Sequence, residues 1–353
     1  MRLYTLTAIV IAPLLSLGIM PGASAAKPNG AQLYARNCAV CHGADGNGGV
    51  GVPLALPSFQ TSVPDSYLFK TIRHGRPGRV MPAFTQLSDA QIHALVHYIR
   101  GFTSATPPKE NDTAVRGDPQ HGKQLFAAHC AKCHGERGQG GEGTGVTFSR
   151  PRNLPIMPPA LNNPGFLAAA TDHMIKRTLV HGRKGTPMAS FIKQGLSEQD
   201  IDDLVAYVRS FQHHPLHPGA KQAALAKPTM VYDSPYDLKT TVENVKRAAV
   251  GRNFKLIRVQ YLDQGLVPAG KENTHRVIVY FCNFNFLNQA LAIDPRVGLF
   301  LPCRVTVVEH KGKVKVYAIN PERLSHLFNN YELNKLCDQM HDTYRDILEE
   351  ATL

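Results

Sequence analysis

The chain has 353 residues, a formal net charge of +12 and seven cysteines. This length allows about three small domains. The positive charge is spread along the chain without a run of Lys and Arg that alternates with aromatic residues, so we expect no nucleic-acid binding.

The N-terminus has the pattern of a secretory signal peptide. Met1-Arg2 supplies a basic start, residues 3–20 are largely apolar, and Ala23-Ser24-Ala25 fits a small-residue cleavage site. We therefore assign residues 1–26 to a signal peptide and expect an exported, periplasmic protein. An uncleaved N-terminal segment that anchors the chain to a membrane is the alternative. No later apolar run is long enough to span a bilayer.

The pentapeptide Cys-x-x-Cys-His occurs twice, at residues 38–42 and 130–134. Two thiols separated by two residues can form thioether bonds with the two vinyl groups of a haem, and the adjoining histidine can then coordinate the iron. A zinc site would need two further soft ligands, and no other cysteine lies near either motif. The two motifs therefore predict two covalently bound haem c groups.

A second pattern follows each motif, His-Gly-Arg-x-Gly-x-x-Met-x-x-Phe, at residues 74–84 and 181–191. A methionine in a loop rich in Gly and Pro is poor core material, but its thioether is a suitable axial ligand for haem iron and raises the reduction potential. We predict that Met81 and Met188 are the sixth ligands. Two alternatives stay open: each methionine is an apolar plug that anchors its loop, or His74 and His181 give bis-histidine ligation.

These patterns belong to an internal repeat that organises most of the first 211 residues. A short amphipathic helix is predicted before each haem motif, and a longer helix after each methionine loop. Ser88 and Ser197 begin the longer helices, with Gln91 and Asp200 three residues later, as in a capping box. Apolar residues recur along both helices at helical spacing, so we expect each to pack on the preceding helix and on the haem.

This order of helix, haem motif, loops, methionine and closing helix resembles the class I cytochrome c family. The resemblance implies two all-α cytochrome c domains, which we place at residues 27–105 and 106–215. It also assigns a role to eight residues. The thioether sites are Cys38, Cys41, Cys130 and Cys133, the proximal iron ligands are His42 and His134, and the distal iron ligands are Met81 and Met188.

Other expectations follow from the same resemblance. Family members fix the proximal imidazole through a backbone carbonyl, and here Pro53 and Pro159 are the candidates, unless both only shape their loops. Many members have a tryptophan near a haem propionate. This chain has none, so Arg76, Arg183 or backbone amides are expected to bind those carboxylates, unless the arginines are solvated surface. Residues 140–159 are either a loop that shields one haem edge or a spacer.

Two Pro-containing linkers, at residues 103–118 and 213–228, separate the two repeats from each other and from a third domain at residues 229–353. Apolar alternation and a turn at Lys311-Gly312 predict a small α+β domain with helices on one face of a sheet. The predicted strands cover residues 231–236, 255–261, 276–281, 303–309 and 313–319, and the predicted helices cover residues 238–250, 286–293, 323–328 and 333–350.

The segments 281–283 and 301–305 resemble the DUF302 family, over about residues 230–320. That resemblance implies a fold and a homodimer formed through this domain. Three interpretations of Cys282 and Cys303 stay open: a disulfide, two buried inert thiols, or a ligand or sulfur-reactive site. Cys337 leaves an odd number of cysteines and shares an apolar helix stripe with its neighbours, so we expect it to pack in the core.

We interpret the chain as a periplasmic dihaem cytochrome that carries single electrons between respiratory partners. A haem iron whose two axial positions are both filled by the protein has no open position for a substrate, which favours a carrier over an enzyme. The expected donor is a dehydrogenase or a quinol-oxidising complex, and the expected acceptor is an oxidase or a reductase. One alternative is a haem enzyme, either a dihaem peroxidase with one open iron or a protein similar to thiosulfate dehydrogenases, in which Cys282 or Cys303 reaches a haem. Another is a DUF302 module that binds a partner or ligand and is served by the haems.

Overall fold

The computed structural model describes residues 27–49, 51–141, 158–214 and 226–353. The predictions for the signal peptide, for residues 142–157 of the long loop and for residues 215–225 of the second linker lie outside the described residues. In the described ranges, two helical domains precede one α+β domain, as the sequence predicts. None of the helices in these ranges combines the length and the apolar character needed to cross a bilayer.

The two helical domains repeat the same order of helices. In each, a first helix runs into the haem motif, which itself forms a one-turn helix, and three further helices follow. The first domain contains α1 (Gly30–Asn37), α2 (Ala39–His42), α3 (Pro57–Gln60), α4 (Asp65–His74) and α5 (Asp89–Arg100). The second contains α6 (Pro119–His129), α7 (Ala131–His134), α8 (Pro164–Ala169), α9 (Asp172–His181) and α10 (Glu198–Ser210).

Both closing helices begin with the predicted capping box. The hydroxyl of Ser88 accepts a hydrogen bond from the Gln91 backbone N–H, and the Gln91 side chain accepts one from the Ser88 backbone N–H. Ser197 and Asp200 make the same reciprocal pair at the start of α10. These bonds satisfy backbone donors that a helix start otherwise leaves unpaired.

In each helical domain the first and last helices cross at a glycine. A Cβ on Gly30 would lie 2.2 Å from the carbonyl oxygen of Ala94, and one on Gly122 would lie 2.0 Å from that of Asp203. Only a residue without a side chain therefore lets the two backbones approach so closely. A cluster of three aromatic rings packs beside each crossing. The clusters are Tyr34, Tyr98 and Phe102, and Phe126, Tyr207 and Phe211.

The C-terminal domain contains one five-stranded antiparallel sheet with the strand order β1-β5-β4-β3-β2. Lys311 and Gly312 both have positive φ at the predicted hairpin turn. The strands are β1 (Thr229–Ser234), β2 (Lys255–Tyr261), β3 (Arg276–Cys282), β4 (Cys303–His310) and β5 (Lys313–Ile319), and the helices are α11 (Leu238–Gly251), α12 (Phe284–Ile293), α13 (Glu322–Leu327) and α14 (Asn334–Thr352).

Two helices cover one face of this sheet, as predicted. Val245 of α11 and Ile347 of α14 are fully buried in one cluster with Val279 and Val305 of the central strands. A smaller cluster joins α12, α13 and the start of α14, and it contains Cys337. The expectation that Cys337 packs in the core is therefore confirmed.

No disulfide joins Cys282 and Cys303. In the β3–β4 pair, Cys303 lies opposite Phe281, the neighbour of Cys282. Because successive side chains of a strand point to opposite faces of the sheet, the two thiols lie on opposite faces. Burial raises the pKa of both thiols. The disulfide interpretation is therefore wrong, and the other two interpretations stay open.

The helix crossing gives a prediction about stability. We expect Gly122→Ala to lower the free energy of unfolding of its domain by about 1–3 kcal/mol, because the added methyl group overlaps a backbone oxygen that cannot move independently of α10. The measurement is urea unfolding followed at the haem absorption. Lys123→Ala, at the neighbouring exposed position, is the control, and equal midpoints for both variants would contradict the crossing.

His121 gives a prediction about pH. Its Nδ1 lies 2.8 Å from Oδ2 of Asp203, so the bond links α6 to α10. This hydrogen bond raises the pKa of His121 above its ordinary value of 6.5. The contribution of this bond to the free energy of unfolding is therefore fully present below pH 6.5. It is lost as the pH rises through the higher pKa that His121 has in the folded protein. In urea unfolding at a series of pH values, wild type should lose this advantage over His121→Gln with rising pH; parallel curves would exclude the link.

Candidate haem sites

The histidines of the two motifs make matching hydrogen bonds. Nδ1 of His42 lies 2.9 Å from the carbonyl oxygen of Val52, and Nδ1 of His134 lies 3.0 Å from that of Pro159. A carbonyl partner places the proton on Nδ1 and leaves the Nε2 lone pair for a metal. Burial lowers the pKa of both imidazoles, which favours the neutral form that binds a metal.

The predicted acceptor carbonyl is correct in the second repeat and wrong in the first. Pro159 accepts from His134, but His42 bonds to Val52, the residue before Pro53. The carbonyl of Pro53 instead accepts a hydrogen bond from the Leu56 N–H within the following turn. Pro53 still contributes indirectly, because a residue before proline is restricted to extended conformations.

Gly51 lies against the first imidazole. A Cβ on Gly51 would lie 2.7 Å from both Nδ1 and Cε1 of His42. Sequence reasoning missed this residue. Its only sequence signal is the set of glycines at positions 43, 46, 48, 49 and 51, which begins directly after the motif.

The helix breaks after α1 and α6 place each motif on a helical turn. Cys38 and Cys130 are the C-caps of those helices, and the next short helix begins immediately after each of them. The N–H of His42 bonds back to the Cys38 carbonyl at 2.9 Å, and His134 bonds back to Cys130 at 2.9 Å. Positions i, i+3 and i+4 share one side of a helical turn. Both thiols and the imidazole of a motif therefore face the same region.

The two methionine loops have the same backbone hydrogen bond across them. The N–H of Arg76 donates to the carbonyl of Met81 at 2.9 Å, and the N–H of Arg183 donates to that of Met188 at 2.7 Å. Each loop thus places its methionine at an equivalent position after α4 or α9. The backbone of the two loops therefore repeats in the same way as their sequence.

The exposure of the side chains distinguishes the two methionines from the alternative ligands, His74 and His181. Met81 and Met188 are half-buried, whereas His74 and His181, at the ends of α4 and α9, are exposed. This difference supports methionine as the second axial ligand. The ligand roles themselves stay predictions.

Each methionine loop lies on the other helical domain. The Ser58 hydroxyl of α3 donates to the Lys184 carbonyl at 2.7 Å, and the side-chain amide of Asn163, the N-cap of α8, donates to the Pro77 carbonyl at 2.8 Å. Pro77 and Lys184 occupy the same position of the repeat. Each domain therefore donates a hydrogen bond to the same position in the methionine loop of the other domain.

The loop arginines follow the same exchange. The Arg76 guanidinium lies 5.9 Å from the ring centre of Phe166, and the Arg183 guanidinium lies 5.2 Å from that of Phe59. Phe59 and Phe166 are both the third residues of their helices, α3 and α8. Such cation–π contacts contribute most when the pair is shielded from water, as it is between these domains.

The hydrogen-bond partners of these arginines differ. Arg76 donates to the Gly165 carbonyl and to the hydroxyls of Tyr67 and Thr71. The Nε of Arg183 is buried and has no hydrogen-bond partner in the described part of the chain. A buried donor without a partner is unfavourable, and a haem propionate is a carboxylate that could accept from it. The donor set of the second repeat therefore fits a haem, and the propionate role expected of Arg76 gains no support.

Comparison with family models is consistent with this geometry. Residues 25–99 match "Cytochrome C oxidase, cbb3-type, subunit III", residues 119–212 match "Cytochrome c", and residues 230–351 match "Domain of unknown function DUF302". The chain carries two cytochrome c domains followed by a DUF302 domain. It binds two covalently attached haem c groups.

Curated relatives match the cytochrome domains. The cbb3-type cytochrome c oxidase subunit FixP of Azorhizobium caulinodans is 34% identical over 131 residues, which are 35% of this chain and 43% of that protein. Subunit CcoP of Azospirillum sp. is 28% identical over 199 residues, 52% of this chain and 62% of that protein. The dihydro-heme d1 dehydrogenase of Pseudomonas aeruginosa is 38% identical over 99 residues, 27% of this chain and 19% of that protein.

Two solved structures also match parts of the chain. The reducing HAO-like protein complex of Kuenenia stuttgartiensis has 24% identity and a TM-score of 0.36, covering 52% of this chain and 94% of that one. A DUF302 protein from Bacillus stearothermophilus has 20% identity and a TM-score of 0.33, covering 36% of this chain and 99% of that one.

The contact of Gly51 with His42 gives a prediction for the first cytochrome domain. We expect Gly51→Ala to displace the imidazole, because its methyl group would overlap the ring, and to convert the first haem partly from low spin to high spin. Absorption spectra of the ferric protein measure this change. Asn47→Ala, an exposed change in the same loop, is the control. An unaltered Gly51→Ala spectrum would show that the imidazole is not held at this glycine.

Proposed function

We propose that this chain is a periplasmic dihaem cytochrome that passes single electrons between respiratory proteins through two haems, each bound by one histidine and one methionine. The observation that carries this proposal is the repeated loop geometry. Both domains hold an imidazole on a backbone carbonyl and place a methionine in an equivalent loop.

Each side chain has a defined task in this proposal. When bound, haem c supplies an iron that changes between ferrous and ferric states and so stores one electron. His42 and His134 would hold the iron through Nε2, while their Nδ1 atoms bond to carbonyl oxygens. Met81 and Met188 would hold the iron through their thioethers and exclude water or a substrate from it. This filling of both positions favours a carrier over an enzyme.

The reciprocal contacts between the domains support electron exchange between the two sites. Because Ser58 and Asn163 each bond to the methionine loop of the other domain, the two loops are held in one fixed relation. Loops held in this way keep the distance between the two haem sites constant. They also limit the structural rearrangement that accompanies each electron transfer. Electrons can then enter at one domain and leave from the other.

The partners are proposed from charge and from the relatives. A net charge of +12 favours acidic docking surfaces on redox proteins, where complementary charge mainly accelerates encounter. Several relatives are named as subunits of cbb3-type oxidases. We therefore propose an oxidase or a reductase as acceptor and a dehydrogenase or quinol-oxidising complex as donor. The signal-peptide pattern supports the periplasm, with an N-terminal membrane anchor as the alternative. The homodimer through the DUF302 domain stays a prediction, without support from the structure.

Methionine ligation gives a direct test of the carrier proposal. In the full-length holoprotein, mass spectrometry should show two haems, and the ferric spectrum should show the weak red band of methionine sulfur at the intensity of two haems. Met81→Ala and Met188→Ala should each remove one haem's share of the band, because each deletes one thioether. Carbon monoxide binding after reduction should rise from near zero to about one per protein.

The matched control is Met340→Ala, which removes a half-buried methionine from the DUF302 domain. It should leave the red band and the carbon monoxide binding unchanged. A wild-type protein that binds carbon monoxide stoichiometrically would instead have an open iron and would favour an enzyme.

A further inference from the structure

A side chain of the DUF302 domain bonds to the methionine loop of the first cytochrome domain. Nδ2 of Asn329 donates to the carbonyl oxygens of Arg76, at 3.1 Å, and Met81, at 2.9 Å. Its Oδ1 accepts from the N–H of Gly78 at 2.6 Å. One amide group thus uses both donors and its acceptor on this loop, and it holds both ends and the middle.

The backbone of residues 329–331 adds further bonds to the same loop. The N–H of Val80 donates to the Asn329 carbonyl at 2.7 Å, and the N–H of Tyr331 donates to the Gly78 carbonyl at 3.2 Å. Between these bonds, Arg79 and Asn330 form an isolated antiparallel bridge. The two segments therefore pair like a very short sheet.

An ion pair and an aromatic contact join the same two segments. The Arg79 guanidinium lies 3.2 Å from the Glu332 carboxylate, and both side chains are mostly buried. The ring of Tyr331 lies directly over Gly78, where an added Cβ would come within 2.1 Å of it. A polar amide, a buried ion pair and an aromatic ring thus meet at one loop.

The residue next to Met81 explains why such support is needed. Val80 has φ +71, a backbone region that is strongly unfavourable for a β-branched residue. The surroundings must therefore hold it there, and its N–H bond to Asn329 does so. The equivalent residue in the second loop is Pro187. Its ring fixes φ at a negative value and leaves it without an N–H to donate, so the second loop is stiffened by its own sequence.

We propose that Asn329 is a positioning residue for Met81, through which the DUF302 domain sets the axial ligation and the reduction potential of the first haem. The inference rests on the proposed ligand role of Met81. Methionine ligation raises the potential, so release of the loop lowers it. Because coupling between two sites is reciprocal, a ligand that binds residues 329–332 more tightly when the methionine loop is released lowers the potential of the first haem.

The test compares Asn329→Gly with wild type in the full-length holoprotein. Asn329 has φ +49, and glycine adopts this conformation readily, so the backbone bonds persist and only the three side-chain bonds disappear. We expect the red methionine band to lose up to one haem's share, the potential of the first haem to fall, and carbon monoxide binding to rise toward one per protein. The second haem should keep its potential, which also shows that the protein is folded.

Asn253→Gly is the matched control. Asn253 is an exposed asparagine of the same domain and also has positive φ, +60. This variant should match wild type in all three measurements. A second pair of variants compares two glycines of positive φ in the methionine loops, Gly78 and Gly185, where alanine strains the backbone alike. The added methyl group also meets Tyr331 at Gly78, but at Gly185 it faces only the flexible tip of Leu56 at 3.3 Å, so Gly78→Ala should disturb the first haem more than Gly185→Ala disturbs the second.

The outcomes separate this inference from the proposed function. If Met81→Ala leaves the red band intact, Met81 is not a ligand and both ideas are wrong. If Met81→Ala removes one haem's share while Asn329→Gly changes neither the band nor either potential, the ligand role stands and the positioning role is excluded. A potential that falls at both haems in Asn329→Gly would also overturn the inference.

Discussion

The close crossing of the first and last helices in each cytochrome domain is the constraint on which the remaining structure depends. At Gly30 and Gly122 no side chain separates the two backbones. The first helix runs directly into the haem motif, and the last helix supports the aromatic cluster behind it. The crossing therefore fixes the position of the haem motif, with its two cysteines and its histidine. A bulkier residue there would move the motif cysteines relative to the methionine loop, which comes from a different part of the chain.

Hydrogen bonds to the backbone then position each predicted ligand, which lies farther from that crossing. The imidazoles bond to the carbonyls of Val52 and Pro159, and the methionine loops close through the N–H groups of Arg76 and Arg183. Carbonyl and amide partners do not depend on which side chain occupies the position. This independence explains how the two domains keep one geometry although much of their sequence differs.

Features with a local pattern could be predicted from the sequence, and features made by distant residues could not. The capping boxes at Ser88 and Ser197 and the hairpin at Lys311 follow from neighbours in the chain. The disulfide prediction failed because a register difference of one residue places Cys282 and Cys303 on opposite faces of the sheet. The contact of Asn329 with the methionine loop joins residues about 250 positions apart, and nothing near Asn329 in the sequence indicates its partner.

The strained Val80 and its counterpart Pro187 make the two methionine loops unequal. Two identical copies of one domain would hold haems of equal potential, and equal potentials give electron transfer between them no preferred direction. Here one half stiffens its loop with a proline, while the other relies on a neighbour that is not part of the duplication. In the proposed carrier, this inequality of support would give the two haems different potentials, and electrons a preferred direction of transfer.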